Sequence, residues 1–241
     1  MKFAAITGVT KGIGRAIAEC LLSNGYYVLG NYASDDEAAT EFLNANKVFS
    51  SHLKLFKLNL FSYESACQFA QQITDVTSSL DVLVLNSGTT DRVPFGNVTE
   101  NSWMRVMGVN LDAPFFLVQQ LREHMTPNMG RIIFIGSSMG EFPHSQSVSY
   151  GVSKAAVHEL AQYLVKYFSK VGVTVNAIAP GFVDTPWQAQ KATAHRERIE
   201  RKVALHRFAE PKEIAALCVH VIENQYINGA VLDINGGYCF K

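Results

Sequence analysis

Tyr150 and Lys154 stand four positions apart, one turn of a helix, so in a helical segment their side chains share a face. A free phenol ionises at about pH 10 and is a poor acid–base at neutrality. An ammonium beside it favours the phenolate and lowers that value. Ser137 lies thirteen positions before Tyr150, at the predicted carboxyl end of a strand, where open α/β sheets place ligands. Its hydroxyl is suited to holding and polarising a substrate oxygen. Ser138 competes for that task, but neighbouring strand residues point to opposite faces, so one of the two serves. A Tyr–Lys pair at this spacing is by itself commonly an exposed surface pair, so the surrounding pattern has to carry the reading.

That pattern begins at Thr7-Gly8-Val9-Thr10-Lys11-Gly12-Ile13-Gly14, which follows a predicted strand and opens a predicted helix. Glycines permit tight turning and close approach of the backbone to a phosphate. A helix N-terminus adds free N–H groups and the positive end of the dipole. The spacing is G-x-x-x-G-x-G, not G-x-G-x-x-G, and the strand–loop–helix setting is what makes it informative.

The elements that must position these residues alternate along the chain. Apolar runs predict strands over Lys2–Thr7, Tyr26–Asn31, Leu53–Leu58, Leu80–Leu85, Arg131–Gly136, Thr174–Ile178 and Val231–Asp233. They read as runs more than as alternation, as expected for parallel strands covered on both faces. Helical stretches are predicted near Gly14–Ser23, Asp36–Asn46, Tyr63–Thr77, Glu100–His124, Ser147–Ser169 and Pro211–Glu223. Strand–helix alternation implies right-handed crossovers and a single-domain, Rossmann-like, doubly wound parallel sheet of about seven strands with helices on both faces. The charged segment 185–206 is an insertion before the last helix and a candidate lid.

Bulk properties narrow the function classes. The 241 residues are 48% hydrophobic and carry no net formal charge. Neutrality argues against a nucleic-acid binder. No apolar run reaches bilayer length, and the initial run Met1–Ile6 ends at Thr7-Gly8, too early for a signal peptide. Four dispersed cysteines form no C-x-x-C pair, which suits reduced thiols in the cytoplasm. Seven histidines form no H-x-x-H or H-x-x-x-H pair, so no metal site is expected.

The motifs taken together resemble the short-chain dehydrogenase/reductase superfamily. Beyond the glycine loop, the resemblance runs through Asn86-Ser87-Gly88, Asn110 in a V-N-L stretch, Gly136-Ser137-Ser138, Tyr150-Gly151-Val152-Ser153-Lys154, Asn176 to Gly181 and Gly229 to Gly237. It implies an enzyme that moves a hydride between a nicotinamide and a carbonyl or alcohol carbon. Tyr150 would be its acid–base. Lys154 would tune Tyr150 and bond the nicotinamide ribose. Ser137 would hold the substrate oxygen, and Asn110 would support Lys154 through an ordered water. Asn110 has an alternative use, capping backbone in an irregular helix turn. For the cofactor, the resemblance assigns Gly8, Thr10, Lys11, Gly12, Ile13, Gly14 and Arg15 in the first loop, and Asn31, Tyr32 and Ala33 after the second strand. Asn59 and Leu60 would lie near the adenine, Asn86, Ser87 and Gly88 near its ribose, Pro180 and Gly181 beneath the nicotinamide, and Val183 and Thr185 at its carboxamide. Asn59 stands where the family usually has Asp.

NAD-selective enzymes usually place a carboxylate at the end of the second strand. Gly30-Asn31-Tyr32-Ala33-Ser34 has none before Asp35-Asp36, expected at the next helix start. In the family, a base just before the second loop glycine often meets a 2′-phosphate, so Lys11, with Arg15, points to NADP(H). The loop, Asn31-Tyr32-Ala33 and the ending Asn228 to Gly237 look most like 3-oxoacyl-acyl-carrier-protein reductases of fatty acid biosynthesis. Asn128 and Val171 replace two arginines usual in carrier-protein enzymes, with Lys170 a partial substitute, which puts carrier docking in doubt. The alternatives are a reductase of a free small carbonyl, sugar or hydroxysteroid, and a dinucleotide-sensing protein without chemistry. Apolar residues on the fourth and fifth helices (Phe115, Phe116, Leu160, Tyr163) and in Gly229 to Lys241 predict a homotetramer of D2 symmetry.

Overall fold

The computed structural model describes residues 1–143, 147–189 and 191–240, apart from the side chain of Cys239. Gln190, within the candidate lid, and Lys241, at the end of the predicted assembly segment, lie outside the described residues. Seven strands form one sheet: β1 (Lys2–Thr7), β2 (Tyr26–Tyr32), β3 (Leu53–Lys57), β4 (Val82–Leu85), β5 (Arg131–Ile135), β6 (Thr174–Pro180) and β7 (Val231–Ile234). Their order is β3-β2-β1-β4-β5-β6-β7, and every pairing is parallel. The order reverses between β1 and β4, the switch point at which such sheets leave a crevice beyond the strand ends.

Strand residues alternate between two cores. Ala5, Leu29, Leu83, Phe134 and Val175 face α3 (Tyr63–Thr74), α5 (Ala113–Leu121) and α6 (Val148–Phe168). Ala4, Ile6, Val28, Val84 and Ile133 face α1 (Gly12–Ser23), α2 (Asp36–Ala45) and α8 (Pro211–Glu223). Covering both faces explains why the strands read as apolar runs. A third, small cluster of Ile199, Val203 and Phe208, with Phe182 and Tyr238 against it, underlies α7 (Thr193–Glu200) in the lid segment.

Two predicted elements change. Leu80 makes only an isolated bridge to Met125, so β4 starts at Val82. The helix expected over Glu100–His124 is α4 (Glu100–Met107), a π-turn (Gly108–Asp112), α5 and a final 3₁₀ turn (Arg122–His124). Pro114 supplies the physical reason: it has no N–H for the carbonyl of Asn110, four residues back, so the regular ladder cannot continue there. Strand and helix ends otherwise shift by a few residues: β2, β6 and β7 run slightly further, β3 and β5 end one residue earlier, and α3 stops at Thr74.

No helix is long and apolar enough to cross a membrane, among the described residues. Cys20, Cys67 and Cys218 are free thiols.

Candidate active site

The carboxyl ends of the central strands open into one cleft of about 1280 Å³. Every catalytic and cofactor candidate from the sequence lines it except Gly14, Arg15 and Asn110. Those three act from behind the wall or outside it.

The first wall is the loop between β1 and α1. Gly8 and Gly12 adopt φ of +70° and +54°, a backbone region that L side chains rarely enter. Gly8 N–H and Val9 N–H donate to the Asn31 carbonyl at 2.9 and 3.0 Å. Asn86 Nδ2 donates to the carbonyls of Thr7 and Gly8 at 2.9 and 3.0 Å, so this side chain shapes the loop. Gly14 does the same by having no side chain: a Cβ there would meet Gly8 O and Asn86 Nδ2 at under 3.0 Å. Helix α1 has no side-chain cap and no carboxylate in its first turn. The N-termini of α2, α3 and α4 are, by contrast, capped by Asp35, Ser62 and Thr99. An uncapped helix start at a glycine turn presents free N–H groups to an anion. These residues fit the diphosphate of a dinucleotide.

The second wall decides what lies beside the adenosine ribose. Lys11 forms an ion pair with Asp35 at the cleft rim, and Asp35 also accepts from Ala38 N–H at 2.9 Å as the cap of α2. The Lys11 ammonium and that N–H hold the Asp35 carboxyl below its ordinary value. Tyr32 Oη donates to Asp36 at 3.0 Å. The Asn31 side chain donates to Leu58 O at 2.7 Å and is buried. Arg15 departs from expectation. It lies outside the cleft wall and pairs with Glu41 at 2.8 Å and Glu19 at 2.9 Å. It pairs with these carboxylates of α1 and α2 in a smaller pocket that shares Thr10, Lys11 and Gly12 with the cleft.

The third wall holds the reactive groups. Tyr150, Lys154 and His158 lie at successive turns of one α6 face, against the end of β5. The Ser137 hydroxyl faces the Tyr150 phenol, and both residues line the cleft. Lys154 Nζ donates to Ile135 O at 2.6 Å and sits 5.8 Å from the Tyr150 ring centroid. Ser137, extended just past β5, lines the cleft, while Ser138 opens a 3₁₀ turn and is buried outside the cleft lining. Burial pushes the Tyr150 phenol up, and the hydrogen bond from Ser137 only partly opposes it. This reverses the expected downward shift, because the Lys154 ammonium is directed at a carbonyl instead of the phenol oxygen. Burial pushes Lys154 itself down to about 8.

Asn110 sits in the π-turn and is 2% exposed. Its Oδ1 accepts from Thr89 N–H at 2.7 Å, and its Nδ2 donates to Thr89 O at 3.0 Å and Ser153 Oγ at 2.9 Å. The side chain therefore fastens the loop after β4 and the start of α6 to the π-turn, and does not cap its own helix turn. The Asn110 backbone carbonyl is the one for which Pro114 offers no i+4 donor.

Sequence reasoning missed three contributors. Asp91 accepts from the hydroxyls of Ser147, at 2.7 Å, and Ser149, fastening the loop after β4 to the start of α6. Trp187, in the lid segment, lies 6.2 Å from the Tyr150 ring and accepts at its carbonyl from Arg92 at 2.9 Å. His158 lies behind Ser137. Of these, only His158 left a signal, its place one turn beyond Lys154.

A parallel switch-point crevice, an uncapped glycine-loop helix and a Ser–Tyr–Lys cluster define a dinucleotide-dependent α/β oxidoreductase. Comparison with known proteins specifies the group. A family model described as enoyl-(acyl carrier protein) reductase matches residues 8–239. The chain is 32% identical to the uncharacterized oxidoreductase YmfI of Bacillus subtilis, over 98% of each protein. It is 33% identical to the 3-oxoacyl-[acyl-carrier-protein] reductase FabG of Aquifex aeolicus, over 98% of this chain and 96% of that protein. It is 31% identical to an acetoacetyl-CoA reductase of Rhizobium meliloti, over 99% of each. Among solved structures, the RhlG/NADP active-site complex of Pseudomonas aeruginosa superposes with a TM-score of 0.90 at 29% identity, covering 98% of this chain and 96% of that one. The chain belongs to the short-chain dehydrogenase/reductase family and is an oxidoreductase that uses a nicotinamide dinucleotide.

Proposed function

We propose that this enzyme reduces the ketone of a 3-oxoacyl thioester to an alcohol with NADPH. The carrying observation is the Ser137–Tyr150–Lys154 cluster at the inner end of a dinucleotide-sized cleft. The bound nicotinamide supplies the hydride. The chain's own groups handle the oxygen. Ser137 and Tyr150 hydroxyls converge on one point, where they hold and polarise the carbonyl oxygen. A phenol kept protonated by burial has a proton to give that oxygen as negative charge develops. Lys154 fixes the end of β5 through Ile135 O and supplies the positive charge that favours proton release. The Asn110 carbonyl, which Pro114 leaves without an i+4 donor, and the nearby Lys154 are proposed to hold a water that restores the proton. Segment 185–206, with Trp187 over Tyr150, is proposed to close the site against solvent.

The NADP(H) reading rests on Lys11 and on the lack of a carboxylate within β2. Asp35 lines the same wall but is engaged by Lys11 and the start of α2. The thioester reading draws on the Aquifex and Rhizobium relatives. Acyl carrier protein remains a proposed carrier, and the positions of Asn128 and Val171, which meet through a backbone hydrogen bond of 2.8 Å, offer it no cation. We also propose a homotetramer. Phe115, Tyr163 and Tyr167 on α5 and α6 are 37%, 69% and 79% exposed, whereas Phe116 and Leu160 pack on the monomer core.

The test is NADPH oxidation with an acetoacetyl thioester beside a panel of free ketones, sugars and hydroxysteroids. Preference for the thioester in kcat/KM is expected. A free carbonyl turned over far better would replace the substrate assignment while leaving the chemistry intact.

A further inference from the structure

His158 occupies a slot built for a ring. It stands one turn beyond Lys154 on α6 and is 6% exposed. Gly136 and Gly140 flank it: a Cβ at Gly136 would lie under 3.0 Å from Nε2, and one at Gly140 would lie 2.8 Å from Cε1. Both glycines have ordinary backbone angles; at Gly136 what excludes a side chain is mainly the imidazole, and at Gly140 it is the imidazole together with the α6 backbone at Lys154 and Ala155.

The ring also has a partner. Ser137 N–H donates to His158 Nε2 at 3.3 Å. An acceptor nitrogen carries a lone pair, so the proton of this imidazole is on Nδ1. Three consecutive turns of α6 thereby meet the last residue of β5 and Ser137 just beyond it. Lys154 takes the Ile135 carbonyl, His158 takes the Ser137 amide, and Tyr150 faces the Ser137 hydroxyl. A leucine would fill the slot but could not accept.

We propose that His158 is a positioning residue for carbonyl reduction: as a neutral, Nδ1-protonated imidazole it holds the Ser137 peptide, and through it aims the Ser137 hydroxyl at the substrate oxygen beside Tyr150. The proposal rests on the reading of Ser137 and Tyr150 given above. The required neutral form is secured by burial and by the Lys154 charge, which bring His158 down to about 4. The imidazole therefore remains an acceptor across the neutral range. Without it, the Ser137 amide is a buried donor with nothing to bond, and the peptide is free to rotate toward another acceptor.

The experiment combines turnover with a direct view of the ring. His158→Leu should lower kcat about tenfold, the scale of one positioning hydrogen bond, with KM for NADPH changed less than about twofold. His158→Gln, whose Oε1 accepts, should recover kcat to within about twofold of wild type. In a Ser137→Ala background, His158→Leu should cost no further turnover, because the residue acts through that hydroxyl. ¹⁵N spectra of the wild-type protein should show His158 protonated at Nδ1 and bare at Nε2, a readout that needs no activity and survives if the substrate reading fails. Tyr150→Phe run alongside separates the two ideas, since retained turnover there overturns the site reading itself. The proposal is overturned by wild-type kcat in His158→Leu, by an equal loss in the Ser137→Ala background, or by an Nε2-protonated ring. Should the leucine variant not fold, the glutamine variant and the spectrum decide.

Discussion

Replacing Gly14 by alanine tests how tightly the dinucleotide loop is held. Gly14 has helical backbone angles, so alanine there gains about 1 kcal/mol of helix propensity. The new methyl, however, would sit under 3.0 Å from the Gly8 carbonyl and from Asn86 Nδ2. Neither neighbour is a flexible side-chain end. The carbonyl accepts from Asn86 at 3.0 Å, and the same glycine donates to Asn31 O at 2.9 Å. Relief requires the loop to move by roughly an ångström, which weakens two or three hydrogen bonds of about 1 kcal/mol each on top of overpacking strain of about 1–3 kcal/mol. The net loss, about 2–5 kcal/mol, lowers Tm by about 2–4 °C for each kcal/mol in a domain of this size. Cofactor affinity falls further, because the displaced amides are those that meet the diphosphate. Loss of one or two charge-assisted bonds weakens NADPH binding by about ten- to a hundredfold. Calorimetric melting and fluorescence titration with NADPH measure both. Wild-type Tm together with wild-type affinity would refute the reasoning, since it would mean the loop does not rest on α1 as the structure describes.

Lys11→Ala should weaken NADPH more than NADH, whereas Arg15→Ala should affect the two alike, because Arg15 is tied to Glu19 and Glu41; titrations with both cofactors distinguish these outcomes. Tyr32→Asp should shift preference toward NADH by adding a hydroxyl acceptor and repelling a 2′-phosphate; unchanged selectivity in kcat/KM argues against the adenosine wall assigned here. Reduction needs the Lys154 ammonium, whose proton leaves at about 8 in the free enzyme, so kcat/KM for reduction should fall as pH rises through that value. A profile flat to pH 10 contradicts this role for Lys154. Tyr163→Glu with Tyr167→Glu should convert the proposed tetramer to smaller species by light scattering; an unchanged mass places the interface elsewhere.

What the sequence made legible was local. The apolar runs identified all seven strands because the central ones are buried on both faces, and the glycine loop was readable because its φ values and close contacts favour glycine. Helical spacing put Tyr150 and Lys154 on one face, and the motifs around them carried the reading. What escaped depended on partners far along the chain. Arg15 looked like a phosphate ligand until α2 brought Glu41 to it. The π-turn at Gly108–Asp112 was masked by an unbroken helical pattern, although Pro114 four residues after Asn110 held the clue. The Tyr150 phenol was expected to be acidified by Lys154, but burial and the geometry of Ile135 O act against that. His158 matched no motif, and its use appears only when α6 is packed against the end of β5.

The most direct test of the whole account is turnover by Tyr150→Phe, measured with the NADPH dissociation constant of the same preparation. The phenylalanine keeps the ring that packs near Trp187 and removes only the hydroxyl. The account predicts a loss of kcat by two or more orders of magnitude, the usual weight of a positioned acid–base, with NADPH affinity within about twofold of wild type. Turnover near the wild-type rate would contradict it, because carbonyl reduction would then be proceeding without the group assigned to deliver the proton.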